Sequence, residues 1–423
     1  MSDPLNVAPR AQRGWRFYGW WGVVLATLLF ILVTNGLTIG GIQAFDPHLL
    51  AALSIERAPL KLGDAIQLGT AAIFTLFTGW AADRIGVRPV MTVGVLLLSA
   101  SFYGLGHVET VGGLYALRFV MGLGLAGAGL AVCVVIVSRW FITRRGLALG
   151  LMLAGTSLGS GILPGIFTRL IEAHDWRQAA VYGAVGPLLL LPIVWFAMKE
   201  WPARLGLAPY GGEGAHAATL AGPDLSYRDI ISRREFWLIG AAAFATFYSI
   251  LAISNNLFLH SQDLGFKPEA SAALFVPLFI MGLIGKIVSG VLSDILGRKR
   301  VWILSLALML AGALMLATLQ SSLVMAAIAL FGFGWGGNYS LLQATAADAF
   351  GSRALGRVMG ALTVLDAGGG ALGPWVTSLL YDRYGSYSSG FGLVCVLIVI
   401  SILLAASLRI RSPEGVATAV SAA

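Results

Sequence analysis

The turn Gly79-x-x-x-Asp83-Arg84-x-Gly86-x-Arg88 closes one apolar stretch, and Gly290-x-x-x-Asp294-x-x-Gly297-Arg298-Lys299-Arg300 closes another. The two aspartates stand 211 positions apart in a chain of 423 residues, half its length. A charged turn repeated at that interval, each time between hydrophobic segments, describes a duplicated membrane bundle.

Composition supports a membrane setting. The chain is 57% hydrophobic and 11% charged, whereas a soluble domain carries about 25% charged residues. The net charge of +8 does not point to nucleic acid, because the basic residues cluster in short loops between apolar spans. Cys133 and Cys395 lie far apart inside such spans, and the five histidines are never paired at ligand spacing. No disulfide framework, metal site or cofactor is expected. Nucleophile–base constellations are missing and no phosphate-binding Gly-Lys-Ser/Thr loop occurs, so the chain does not read as an enzyme. The first 19 residues contain Arg10, Arg13 and Arg16 but no small-residue cleavage site, so the first span is expected to serve as its own insertion signal.

A spanning helix needs roughly 20 mostly apolar residues. That ruler predicts spans near 20–44, 64–83, 88–106, 112–138, 146–171 and 177–198, then 234–258, 270–296, 300–319, 323–347, 357–381 and 388–408. The expected fold is an all-α membrane protein of twelve transmembrane helices in two pseudo-symmetric six-helix bundles. Residues 1–198 form the first bundle, 199–232 a flexible Pro- and Gly-rich linker, and 233–423 the second bundle. With the N-terminus inside, twenty of the 28 basic residues fall on the cytoplasmic side and six, including Arg57 and Lys61, on the other. Both termini and the linker are therefore expected to be cytoplasmic, in a multi-pass inner membrane protein.

The first turn resembles the signature of the major facilitator superfamily, and its echo covers the second half. The resemblance implies a secondary transporter working by alternating access, and a gating role for Gly79, Asp83, Arg84, Gly86 and Arg88, with Gly290, Asp294 and Arg298 as the second copy. In that family the glycine lets helices 2 and 11 approach closely. Ile295 stands where the second copy would carry arginine, so the first copy is expected to matter more.

Charges in hydrocarbon are costly, roughly 2.5–3.5 kcal/mol on insertion scales. Three such charges are Arg118, Lys286 and Asp366. Arg118 precedes the Gly-rich face Gly122, Gly124, Gly127 and Gly129, a pattern similar to the superfamily's helix 4, and reads equally as a structural or a relay residue. Lys286 is eight residues from Asp294, and Asp366 nine from Arg357. These separations are about 12 and 14 Å of helix, close to the midplane of a ~30 Å core. Opposite charges at equal depth are expected to pair.

Tyr18-Gly19-Trp20-Trp21, Arg139-Trp140-Phe141 with Arg144-Arg145-Gly146, and the Gly-rich fifth span resemble the monocarboxylate transporters and the oxalate/formate antiporters. In monocarboxylate carriers helix 8 holds Asp-x-x-x-Arg, whose Arg binds the substrate carboxylate. Lys286 falls at that Arg position here and Gly282 at that of the Asp. The resemblance implies a small monocarboxylate-like anion bound at Lys286; a pair that opens when Asp366 takes up a proton makes proton-coupled symport the expected mechanism, with Asp366 carrying the proton. Asn35, Tyr248, Asn255, Asn338 and Tyr339 are further candidates for substrate contact. Trp335 and Tyr339, four apart, read as an aromatic wall or as packing. The partners expected are a small organic anion, a proton and the bilayer, with the chain a monomer. An exporter of drugs or cationic metabolites holding its substrate at Asp366 is the alternative. A transporter-like sensor fits less well, since the linker is too short for a signalling domain.

Overall fold

The computed structural model describes residue 14 and residues 17–211, 225–350 and 355–408. Within these, the side chains of Leu76, Asp83, Arg145, Asp294, Tyr339, Ala347 and Leu355 lie outside the described residues. Besides the short helices Pro202–Leu205, Tyr227–Ser232 and Leu257–Asp263, the described residues form twelve helical spans. In the first half they are span 1 (Gly19–Leu53), span 2 (Arg57–Ile85), span 3 (Val87–Leu105), span 4 (Val111–Trp140), span 5 (Arg145–His174) and span 6 (Trp176–Ala197). The second half has span 7 (Arg234–Ser254), span 8 (Pro268–Ala273 continued by Phe275–Leu296), span 9 (Arg298–Ala317), span 10 (Ser321–Phe350), span 11 (Leu355–Tyr384) and span 12 (Ser388–Ser407). Ten of the helices among the described residues are long and apolar enough to cross a membrane. Spans 2 and 11 are not among these ten.

The chain forms two compact units. One comprises residues 1–218 with 254–280; the other comprises 219–253 with 281–423. Within each, glycines set the same helix contacts. In the first unit a Cβ on Gly155 or Gly159 of span 5 would stand 2.4 or 2.0 Å from the Leu28 or Leu32 carbonyl oxygen of span 1. In the second, a Cβ on Gly369 or Gly373 of span 11 would stand 2.2 or 2.3 Å from the Phe244 or Tyr248 carbonyl oxygen of span 7. Spans 5 and 11 also share an internal proline, Pro164 and Pro374. Spans 3 and 4 meet backbone to backbone at Gly94, and spans 9 and 10 do so at Gly334. Without a hydrophobic drive between helices in lipid, close backbone approach is what holds them. The duplication thus extends from sequence to packing.

The repeated turn has a backbone reason. Gly86 has φ +92° and Gly297 φ +88°, a region that L side chains rarely enter, so a glycine is needed at both turns. A Cβ at Gly79 or Gly290 would meet nothing within 4 Å, and Gly79 instead borders a cavity of about 110 Å³ lined mainly by Thr75, Thr78, Ala82, Ala131 and Val135.

Span 1 is irregular where it is rich in glycine. It is α-helical over Leu25–Asn35, widens to a π-helix over Gly36–Gly40 and tightens to a 3₁₀-helix over Gly41–Phe45. Gly36 and Gly40 lie against the Gly159 and Ser160 backbone.

Span 2 starts at Arg57 rather than near 64, so Lys61 is not an exposed loop charge but fully buried. The first part of the linker, expected to be flexible, docks on the first unit. Trp140 Nε1 donates to the Lys199 carbonyl (2.7 Å), and Tyr210 N to the Trp140 carbonyl (2.8 Å). Phe17, Trp20 and Phe141 surround the Tyr210 ring.

Candidate functional site

Among the described residues of the second unit, Lys286 and Asp366 are both half-buried. The ion pair expected between them is not formed. Lys286 Nζ lies 5.1 Å from the centroid of the Trp335 indole, a cation–π distance, and Asp366 Oδ1 is buried with no hydrogen-bond partner. Trp335 explains why residue 282 is glycine: a Cβ there would be 2.6 Å from the indole. The ring fills the space that a helix 8 aspartate would need. Trp335 packs beside Gly282 and Lys286; the side chain of Tyr339 lies outside the described residues.

Asn338 is fully buried and has both ends of its amide engaged. Its Oδ1 accepts from Trp302 Nε1, and its Nδ2 donates to Thr246 Oγ1 at 2.6 Å. It ties spans 7, 9 and 10 together. Tyr248 is buried in span 7, its hydroxyl without a well-aligned partner.

The first unit contains a cluster that the hydropathy ruler missed. Asp46, Lys61, Asp64 and Arg118 are all buried, two acids and two bases that balance in charge. Lys61 Nζ donates to Gln43 Oε1 and to Asp46 Oδ2, both at 2.5 Å, and stands 3.4 Å from Asp64 Oδ2. Arg118 Nη1 is 2.9 Å from Asp64 Oδ1, an ion pair, and donates to Gln67 Oε1 at 3.0 Å. Gln67 Nε2 donates in turn to the Thr38 carbonyl of span 1 (3.1 Å). Arg118 fits between the helices because residue 63 is glycine; a Cβ there would be 3.1 Å from Arg118 Cγ.

The segment 254–280 closes over this cluster. Asn255 Nδ2 donates to Asp64 Oδ2 (3.1 Å), and Arg57 holds Asp263 through two hydrogen bonds of 2.7 Å each. Asn255, read from sequence as a substrate contact, is in this structure a partner of Asp64. One signal for the cluster was available: Lys61 and Asp64 are spaced i, i+3, so a helix beginning at Arg57 puts them on one face. A hydropathy sum does not register that these charges neutralise each other, so by hydropathy alone span 2 begins beyond them.

The repeated turns are anchored differently. Arg84 packs over the Trp80 ring at 4.4 Å. Arg88 Nε donates to the Met198 carbonyl (2.9 Å), and Glu200 Oε1 accepts from Val87 N (3.0 Å) and Arg88 N (3.4 Å). A linker carboxylate thus caps the start of span 3, where unpaired N–H groups favour negative charge. In the second copy, Arg298 pairs with Asp348 and donates to the Ala344 carbonyl (3.0 Å). The side chains of Asp83 and Asp294 lie outside the described residues. Among the described residues no group of three or more His, Cys, Asp or Glu is arranged to hold a metal ion.

Comparison with known proteins agrees with this architecture. The sequence model of the Major Facilitator Superfamily matches residues 28–374 and 274–422. The chain is 26% identical over 360 residues to a gallate transporter of Pseudomonas putida, covering 78% of each chain. It is 24% identical over 397 residues to an oxalate:formate antiporter of Oxalobacter formigenes, covering 91% of this chain and 90% of that one. To monocarboxylate transporter 13 of Rattus norvegicus it is 26% identical over 388 residues, 89% of this chain and 85% of the other. Among solved structures, a bacterial homologue of the human lysosomal transporter Spinster, in an inward-facing and unoccupied conformation, aligns with a TM-score of 0.72 at 15% identity. That alignment covers 93% of this chain and 96% of the other.

Proposed function

The chain belongs to the Major Facilitator Superfamily and is a multi-pass membrane transporter, not an enzyme; from that premise we propose that it carries small organic anions, carboxylates foremost, in symport with protons. The observation that carries the anion reading is Lys286. It places a half-buried basic side chain in the middle of span 8 over the Trp335 indole, a group whose chemistry matches a carboxylate. The names of the relatives, transporters of gallate, of oxalate and formate, and of monocarboxylates, support the same substrate class.

Asp366 is the proton carrier in this reading. With Lys286 on Trp335, no ion pair between the two has to break before the carboxyl takes up its proton. The protonated acid crosses as a neutral group while Lys286 is neutralised by substrate. Asn35, Tyr248, Asn255, Asn338 and Tyr339 are proposed to line the path. The two repeated turns, at Gly79, Asp83, Arg84, Gly86 and Arg88 and at Gly290, Asp294 and Arg298, govern the alternation. Both termini face the cytoplasm, as the basic loops require.

The test is uptake of labelled gallate, oxalate, lactate and acetate into proteoliposomes with an imposed pH gradient. At least one carboxylate is expected to accumulate. Asp366→Asn is expected to abolish accumulation driven by the gradient while leaving exchange; accumulation that persists in Asp366→Asn removes Asp366 from the scheme. The unpartnered Asp366 Oδ1 favours one competing reading, export of organic cations. Cation efflux without any carboxylate signal decides for that reading.

A further inference from the structure

The buried cluster of the first unit is balanced in charge but not in hydrogen bonds. Arg118 is 1% exposed, yet its Nε and Nη2 have no hydrogen-bond partner among the described residues. Asn35 is 7% exposed, and its Nδ2 is likewise unpartnered. Buried N–H groups left without acceptors are costly. Here every unmet group on these two side chains is a donor.

The engaged edge of Arg118 leads by a short hydrogen-bond path to span 1. Arg118 Nη1 donates to Gln67, and Gln67 to the Thr38 carbonyl, one helical turn beyond Asn35. Asn35 is the last α-helical residue before span 1 widens into its π segment, a distortion frequent at functional sites. The N–H bonds of Nε and Nη2 lie side by side on one edge of a planar guanidinium and match the two oxygens of a carboxylate. The opposite edge is already taken, because Nη1 faces Asp64 and Gln67. Asp64 therefore holds the guanidinium in position and leaves the second edge unmet.

We infer that the Nε–Nη2 edge of Arg118, together with the Asn35 amide, is a carboxylate-binding subsite within the first unit. It rests on the anion reading above and adds a second anchor to Lys286. In this structure the subsite is shut, since Asn255 bonds Asp64 and the guanidinium is covered. A carboxylate reaches it only when the elements that cover the guanidinium move.

The experiment is equilibrium binding of sodium gallate and sodium oxalate to the full-length protein in detergent, by titration calorimetry against sodium chloride at matched ionic strength. Arg118→Lys keeps the charge but loses the paired donors. The double variant Arg118→Gln/Asp64→Asn removes one base and one acid, so the cluster stays neutral. Asn35→Ala leaves the cluster untouched and reports on the subsite should the other variants not fold. Each folded variant is expected to bind the same anion at least roughly tenfold more weakly for the Arg118 changes, and severalfold for Asn35→Ala. Wild-type affinity in a folded Arg118 variant, or in Asn35→Ala, means that water alone fills the donors and overturns the subsite. If the wild-type protein binds neither anion, it is the anion reading that falls.

Discussion

Lys61→Met tests whether the balanced cluster holds the first unit together. Lys61 is fully buried and is the sole described cation bonded to Asp46, which is itself fully buried. Without Lys61, Asp46 and Asp64 share Arg118 alone and one negative charge is uncompensated in the bundle interior. Breaking a buried pair from one side costs about 3–5 kcal/mol. At about 2–4 °C per kcal/mol for a unit of this size, the melting temperature should drop by roughly 6–20 °C. The companion variant Lys61→Met/Asp46→Asn restores neutrality, and replacing both members of a buried pair is often close to neutral. It should recover most of the loss, giving a coupling of several kcal/mol in the double-mutant cycle. The assay is thermal unfolding of the purified protein in detergent by intrinsic fluorescence, with size-exclusion chromatography as the check on folding. A single variant that melts within about 2 °C of wild type, or a double variant no better than the single, refutes the charge-balance argument.

Four further outcomes are expected. Glu200→Ala removes the acceptor for Val87 N and Arg88 N and should weaken the start of span 3 by about 1 kcal/mol, read as faster tryptic cleavage at Arg84. Gly159→Ala puts a Cβ 2.0 Å from the Leu32 carbonyl oxygen, whereas Gly150→Ala meets nothing within 4 Å; only the first should lose folded protein by size-exclusion chromatography. Asn338→Leu strands the Trp302 N–H, while the Thr246 hydroxyl keeps its bond to the Ala242 carbonyl, and should destabilise the second unit by about 1–3 kcal/mol, measured by thermal unfolding. The helix Tyr227–Ser232 is capped by Ser226, whose side-chain and then backbone hydrogen bonds hold the Asp229 carboxyl below its ordinary 3.8. A depressed acid contributes stability above its unfolded value and loses it as pH falls through the folded value. Amide protection of this helix should therefore be flat from pH 5 to 8 and fall only below about pH 4.

Much of the architecture was legible because it depends on local chemistry. Apolar runs of about 20 residues must become helices in a bilayer, since every backbone polar group has to be satisfied within its own segment. Gly86 and Gly297 announced the duplication because both turns need a conformation open to glycine. The midplane charges Lys286 and Asp366 stood out for the same reason that makes them rare. Their environment could not be read: equal depth suggested a pair, yet Trp335 took the space beside Gly282 and the cation with it.

The cluster around Arg118 shows the limit most clearly. Residue by residue, Asp46, Lys61 and Asp64 count against a membrane helix, so the ruler ended span 1 and delayed span 2 around them. Folded, they cancel. Hydropathy is a sum over neighbours in sequence, whereas the energy of a charge depends on its neighbours in space. The sequence by itself determined the number of helices, the repeat and which charges needed partners; the tertiary structure decided which partners they found, because compensation in low dielectric acts between helices that are remote in the chain.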